Sequence, residues 1–517
     1  MRVVLYSGRL FDFGVMMVET TLTNGLILPK ADEPQDWVLK DIFIREGRIE
    51  AIITAGERSP EGTIVEAAGC LVTPGLINSH HHSHEHYHKG RYDRVPLELW
   101  MNYVRPLTPI PVTPRHVYLR TLIGAIQALR SGTTTIVDDL NVSPQLDPVI
   151  VNAAFQAYRD IGIRAMVGLT LFDKPFYRAL PFVDEEFPNE LLVELDQVKT
   201  SPASETLEFV KSLARQHHPS SARVAAILAP SAPQRCTDIF LQEIRAVADD
   251  LDLPIIIHVH ESRLQAVTAQ LFYGKSMFKH LGDLNFLGPK TQLIHAIWTA
   301  PSDIQLLAET GTSVQHNPNS NLKLGSGLMP LRAYLDAGVN VSLGTDGCGS
   351  IDTLDMLRTV ASTALVHKLR GDDHSRWVDA ADSWSAGTLG GAKALGFDGK
   401  LGEIAVDAKA DLCCYRLTSA AFTPLNNPLR QLVYGETGAD LETILVDGDI
   451  VMLKGQLTCI DENAILAEAQ KAHQELEPFI ACAETHVDKM MPAYQRIYSR
   501  CQKMLIDPDI LPARFPE

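Results

Sequence analysis

PGLINSHHHSH, residues 74–84, decides the fold: an apolar run, Leu76 to His80, leads straight into a histidine cluster. Side chains alternate along a strand, so His80 and His82 face one side and offer two imidazoles to a single metal ion, while His81 faces elsewhere. A second stretch has the same build. In PIIIHVHE, residues 254–261, a buried run ends at His258 and a carboxylate, Glu261, follows three residues on. His258 is placed to give a third nitrogen ligand, and Glu261 to exchange a proton with a water that the metal activates. His260 reads as structural. His295 closes QLIH, and Asp346 follows an apolar run in VSLGTDGCGS. Such residues at successive run ends place a site at the C-terminal ends of parallel barrel strands, where barrel enzymes keep theirs.

Outward from these motifs the texture is that of an α/β chain. Eight apolar runs alternate with helical segments: Leu76 to His80, Thr134 to Asp138, Arg164 to Thr170, Arg223 to Leu228, Pro254 to His258, Gln292 to His295, Thr312 to Gln315 and Asn340 to Leu343. Strands buried on both faces read in this way, which predicts a (β/α)8 TIM barrel over residues 74–390. Short alternating stretches at Asp41 to Ile44 and Arg48 to Ile53 recur as Ala408 to Tyr415 and Thr443 to Val451, the last holding a Val446-Asp447-Gly448-Asp449 turn. Residues 1–73 and 391–460 are therefore expected to form one small discontinuous β-sandwich from both ends of the chain. Residues 461–517 read as C-terminal helices, one or two within Glu462 to Met504, from their helix-forming composition and periodicity.

The chain's 517 residues exceed a single ordinary core, with 45% hydrophobic and 21% charged residues as in globular proteins. A formal charge of -17 disfavours nucleic acid and anionic membranes as partners and suits a small, neutral or cationic molecule better. No apolar run nears the roughly 18 to 20 residues of a membrane span. The start, MRVVLYSGRLFDFG, lacks the features of a signal peptide, so a cytoplasmic location is expected. Eight cysteines without a CxxC pair suit reduced thiols.

The ordered set of motifs resembles the amidohydrolase superfamily, in its branch of aminohydrolases and chlorohydrolases that act on purine, pyrimidine and triazine rings. The resemblance runs through PGLINSHHH at 74–82, VPLELWM at 95–101, GTTTIVD at 132–138, HVHE at 258–261 and His295. It continues through HNPNSNLKLGSGLMP at 316–330 and GTDGCGS at 344–350. It implies that His80, His82, His258 and Asp346 bind one divalent metal ion, Zn2+ before Fe2+, and that Glu261, His295 and Asp346 are catalytic. Glu261 would shuttle protons, and His295 would polarise the substrate or orient the attacking water. No lysine ends the fourth run, where two-metal relatives carry a carboxylated one, so a single metal is implied. The implied reaction is hydrolytic deamination of an N-heterocycle. The alternative is a hydrolase of the same fold that releases an alkylamine or chloride, or cleaves a cyclic amide, ureide or guanidine. A non-catalytic relative would have lost one of these groups, and none is missing.

Substrate contacts are expected from Trp100, Trp298, His316 and Ser231. Trp100 and Trp298 are placed to stack on a flat ring, and His316 ends the seventh run. The fourth run ends in Pro230-Ser231-Ala232-Pro233, where adenosine-type deaminases of this branch have a PHAP-like segment, which argues against an adenosine-like substrate. Asn317, Asn319 and Asn321 read mainly as turn-fixing residues. His84, His86 and His88 either line the pocket mouth or decorate a loop. Phe172 to Glu194, rich in aromatics and acids, reads as a long loop serving as a lid. The C-terminal helices offer a surface for a homo-oligomer.

Overall fold

Eight parallel strands follow one another in chain order around one sheet. They are Leu76–His81, Thr133–Leu140, Arg164–Leu171, Val224–Pro230, Ile255–Val259, Thr291–His295, Ser313–His316 and Val341–Leu343, on the eight runs expected from the sequence. This computed structural model describes residues 19–28, 39–371 and 373–514, so the opening MRVVLYSGRLFDFG lies outside the described residues. The last strand closes on the first. The Asp346 amide donates to the His80 carbonyl at 3.0 Å, and Asn78 Oδ1 accepts from the Thr345 amide at 3.0 Å. Closure brings backbones close at Gly344, where an added Cβ would lie 2.1 Å from Gln315 Nε2 and 2.9 Å from the His80 nitrogen. Only glycine fits there.

The barrel is filled by residues such as Ile77, Val137, Met166, Ile227, Ile256 and Ile294, with Leu395, Phe397 and Leu401 packing in from the segment after the last strand. The connecting helices begin where local chemistry dictates. Thr113 caps Pro114–Arg130 in a capping box with His116, and Asp147 caps Pro148–Ile161, which stops at left-handed Gly162.

Both ends of the chain meet in a second, nine-stranded mixed sheet. Leu412–Arg416 pairs antiparallel with Cys70–Pro74, which in turn runs parallel to the far end of Thr20–Ile27. Its core includes Leu22, Ile42, Ile44, Val72, Leu412 and Leu445. One buried guanidinium ties this sheet to the barrel. Arg164, at the start of the third barrel strand, holds Asp411 at 2.9 Å and Asp447 in the Asp447-Gly448 turn at 2.5 Å, and all other donors to Asp447 lie further out.

The C-terminal part is one helix, Glu462–Lys503, uninterrupted by Pro478 and Pro492. Its buried face, among others Leu476, Ile480, Val487, Met490, Tyr494 and Ile497, repeats every three or four residues. The segment expected as a long loop is instead structured: a 3-10 turn Phe176–Ala179 and helices Val183–Glu186 and Asn189–Asp196. It docks on the long helix, with Phe187 edge-on to Tyr494 at 5.0 Å and the Arg500 guanidinium 3.6 Å above Phe182. Among the described residues no helix is long and apolar enough to cross a membrane.

Arg164→Ala would leave Asp411 buried without its cation, and we expect a loss of about 3–5 kcal/mol in unfolding free energy. Chemical denaturation measures it; a shift below about 1 kcal/mol would mean that the pair does not tie the two parts together.

Candidate metal centre and active site

Four strand ends converge on one spot. The donor atoms of His80, His82 and His258 lie within 4.8 Å of one another, as do those of Glu261, His295 and Asp346. Asp346 Oδ1 stands 3.5 Å from Nε2 of both His80 and His82, which joins the two groups. Two of the imidazoles are fixed by backbone carbonyls. His82 Nδ1 donates to the Asp139 carbonyl at 2.9 Å, and His258 Nδ1 to the Ser231 carbonyl at 2.8 Å. Each Nε2 therefore carries its lone pair, as a metal ligand must. Burial holds both rings well below the usual histidine pKa, so they are neutral at pH 7. Both ring nitrogens of His80 are buried without a hydrogen-bond partner. Three imidazoles, one carboxylate and orphaned nitrogen atoms at the centre fit a divalent cation with nitrogen and oxygen preference.

The two carboxyls of the site are pushed apart. Burial, reinforced by the charges of Asp346 and Glu98, raises Glu261 well above the ordinary carboxylate range. Burial opposes ionisation of Asp346 too, but His80, with Nε2 3.5 Å from Oδ1, and the imidazoles of His295 and His82 favour the anion, outweigh burial and hold Asp346 well below its usual value. Ser320 Oγ and the Gly347 amide also donate to its two oxygens, at 2.7 and 2.8 Å. Such a split assigns a permanent anion and a proton carrier to neighbouring positions. Glu261 Oε1 is buried and unpartnered, and its Oε2 faces His295 Nε2 at 3.4 Å. His295 Nδ1 is bound to Asn321 Oδ1 at 2.9 Å, which points Nε2 at the site. His295 and Asp346 both have left-handed backbones, at φ 73° and 68°, a strained state for residues with side chains.

These residues face a cavity of about 50 Å3, lined also by Trp100, Ser231, Glu98 and Arg235. Trp100 is anchored through Nε1 to the Gly349 carbonyl at 3.1 Å. Two of the expected substrate contacts are displaced. Trp298 bonds the Ser326 carbonyl at 2.9 Å, has Arg263 and Arg514 about its ring, and does not line the cavity. His316 pairs with His367, Nε2 to Nε2 at 3.0 Å, and is likewise outside the lining. The reason is local: the chain turns sharply after His295 and starts a helix, Pro318–Lys323, right after His316, which carries both rings away from the cavity. That helix is what NPNSN builds, and it aims Ser320 at Asp346 and Asn321 at His295. His81 bonds the Tyr158 hydroxyl at 3.1 Å and His260 the Trp298 carbonyl at 2.6 Å, both away from the site. His84, His86 and His88 lie in one buried 3-10 segment, Ser83–His88, rather than on an exposed loop.

Several residues escaped notice in the sequence. Asp139 is buried beside His82 and His258, with Oδ2 at 3.9 and 4.0 Å from their Nδ1 atoms. Alternation from Val137, which fills the barrel, would have found it one residue beyond the quoted GTTTIVD. Glu98 accepts a hydrogen bond from Ser262, and Arg105 reaches His82 at 3.3 Å. Both come from the helix Leu97–Val104 and its exit, for which the sequence offers no periodic signal beyond an amphipathic turn.

Known proteins resemble this chain over most of its length. The amidohydrolase family model matches residues 71–451. A 5'-deoxyadenosine deaminase of Methanothermobacter thermautotrophicus is 31% identical over 84% of this chain and 94% of its own. A 5-methylthioadenosine/S-adenosylhomocysteine deaminase of Thermococcus kodakarensis is 33% identical over 81% of this chain and 91% of its own. Among solved structures, an adenosine deaminase from Xanthomonas campestris with bound zinc superimposes with a TM-score of 0.78 at 27% identity, over 89% of this chain and 99% of its own. The zinc complex of an atrazine chlorohydrolase from Arthrobacter aurescens TC1 reaches 0.79 at 22% identity, over 88% and 100%, a likeness of fold.

Elemental analysis of the purified protein separates the roles just described. His258→Ala is expected to lose the bound metal, whereas Asn321→Ala should retain it and lose about 10–100-fold in turnover, since Asn321 acts by orienting His295. Full activity in Asn321→Ala would show that His295 needs no such anchor.

Proposed function

The chain belongs to the amidohydrolase family, and we propose that it hydrolytically deaminates an adenine nucleoside-like substrate, C–NH2 becoming C–OH with release of ammonia. The observation that carries the proposal is the meeting of His80, His82, His258 and Asp346 around one point, with Glu261 and His295 facing the same cavity. His80, His82, His258 and Asp346 would hold a single divalent ion; three imidazoles and a carboxylate suit Zn2+, and Fe2+ tolerates the same set. Bound there, the ion supplies Lewis acidity that makes water nucleophilic at neutral pH.

The chain's own groups do the rest. Asp346, held as an anion, accepts a hydrogen bond from the attacking water. Glu261, with its raised pKa and free Oε1, takes up a proton and returns it to the departing nitrogen. His295, its Nδ1–H committed to Asn321, presents the Nε2 lone pair and orients the water by accepting from it. Ser231 and Trp100, in the cavity lining, would contact the ring.

The absent PHAP-like histidine weighs less than the sequence suggested. The deaminases of Methanothermobacter and Thermococcus, similar over nearly their whole length, are named for adenine nucleosides. At the same place this chain offers the Arg235 guanidinium, whose Nη1 donates to Ser231 Oγ at 3.1 Å. A donor therefore stands behind Ser231 even without an imidazole.

The metal-loaded protein is expected to release ammonia from 5'-deoxyadenosine or 5'-methylthioadenosine, followed by product mass and an ammonia-coupled assay. Glu261→Gln should lower turnover by about 10²–10⁴-fold and leave metal content unchanged. Release of chloride or an alkylamine from a triazine, with adenine nucleosides untouched, would replace deamination by the other hydrolytic reading.

A further inference from the structure

The helix Leu97–Val104 brings to the catalytic cavity a carboxyl that the reaction does not use. Glu98, Met101 and, at the helix exit, Arg105 recur at three and four residues, so they share the face that lines the cavity. Glu98 is 4% exposed. Its Oε1 accepts from the Ser262 hydroxyl, and its Oε2 is buried without a hydrogen-bond partner. It forms no ion pair among the described residues. Burial raises its carboxyl above the ordinary range, although Ser262 and the more distant charge of Arg514 favour the anion.

Glu98 is held at the reacting end of the cavity. Ser262 directly follows Glu261 and caps the helix Arg263–Tyr273, its Oγ accepting from the Gln265 amide at 3.2 Å. Gln265 Oε1 in turn accepts from the Glu261 amide at 2.9 Å. The Glu98 charge reaches Glu261 and is among the causes that raise its carboxyl. A buried carboxyl with an unpaired oxygen is costly, and a second acid beside the proton carrier adds to that cost. Metal binding, water orientation and proton transfer are already held by other residues, which leaves recognition. An ionised carboxylate only accepts hydrogen bonds, so its complement is a donor. At about 50 Å3 the cavity admits little beyond the ring edge that carries the reacting carbon, so that donor belongs to the ring itself.

We propose that Glu98 selects the ring: its Oε2 accepts from a second N–H donor, an amino group or ring N–H other than the one hydrolysed. The substrate class is then a diamino-substituted N-heterocycle, of which a 2-aminoadenine nucleoside is the purine form. An adenine nucleoside carries only acceptors and C–H groups on its ring apart from the departing amino group, and leaves Glu98 unpaired. The proposal rests on the deamination reading and names the ring that it acts on.

5'-Deoxyadenosine and its 2-amino derivative, given to the metal-loaded enzyme, test it. The diamino ring is expected to have the higher kcat/KM by about tenfold or more, the difference lying mainly in KM, because the single-amino ring leaves a buried acceptor unpaired. Glu98→Met, close in volume, should bring the ratio near unity, and Glu98→Gln should keep part of it. A carboxyl that merely braces Ser262 and Glu261 would, when replaced, slow both rings alike and leave the ratio where it was. That outcome overturns the proposal, as do equal kcat/KM values in the wild type or a preference for the single-amino ring. If neither nucleoside is deaminated, the nucleoside reading fails by itself, and calorimetry with 2,4-diaminopyrimidine and 4-aminopyrimidine reads Glu98 directly. Tighter binding of the diamine by the wild type, lost in Glu98→Met, would support the assignment; equal affinities, or a preference that survives in Glu98→Met, would sink it.

Discussion

The hydrogen bond from the Asp346 amide to the His80 carbonyl closes the barrel, and the site depends on that closure. Without it the first and last strands would be edges, and His80 and Asp346, remote in sequence, would have no reason to face one point. With it, the Asp346 carboxylate sits 3.5 Å from two imidazoles before any cation arrives. The closure is narrow enough to exclude a side chain at Gly344 and tight enough to hold Asp346 at a left-handed φ. Backbone strain at a site persists only where the surroundings over-determine it, and here ladder, turn and hydrogen bonds all do.

Desolvation is the second constraint, and its sign differs with the charge of the group. Burial keeps His82 and His258 neutral and so leaves their lone pairs free; the same burial makes Glu261 reluctant to ionise, while Asp346, surrounded by imidazoles, stays an anion. Desolvation therefore helps to produce ligands, proton carrier and anion from three ordinary residue types. The carbonyls of Asp139 and Ser231 fix which nitrogen of each ring is free, a choice made by backbone rather than by any residue identity.

That distinction explains what the sequence revealed. Barrel strands buried on both faces leave unbroken apolar runs, and a polar residue at each run's end stands out against them; His80, His82, His258, His295 and Asp346 were legible for that reason. Apart from Glu261 and Trp100, residues off the strands were not. Glu98, Arg105 and Asn321 reach the site from short helices whose direction is set by packing, and Trp298 and His316 look like strand-end residues but turn away because the chain bends immediately after its strand. The structured segment after Leu171 was hidden similarly: its helices are short, and their apolar faces match a helix some three hundred residues later, Phe187 against Tyr494.

Chemistry and selectivity consequently come from different parts of the chain. The reacting groups stand on strand ends, each braced by ladder hydrogen bonds, so they tolerate little movement. A chamber of about 900 Å3 beside the catalytic cavity is walled instead by the exit of Leu97–Val104, by the segment after Leu171 and by Leu476, Ile480 and Tyr494 of the C-terminal helix. These pieces hold together through an apolar cluster of their own, Tyr177, Leu180, Val183 and Phe187 against Val487, Met490, Tyr494 and Ile497, apart from the barrel core. A wall built in this way can change shape or residue identity without disturbing the strand ends, whereas a change at Gly344 or Asp346 disturbs barrel closure and site together. Variation in what the enzyme accepts is therefore expected to concentrate in the chamber walls.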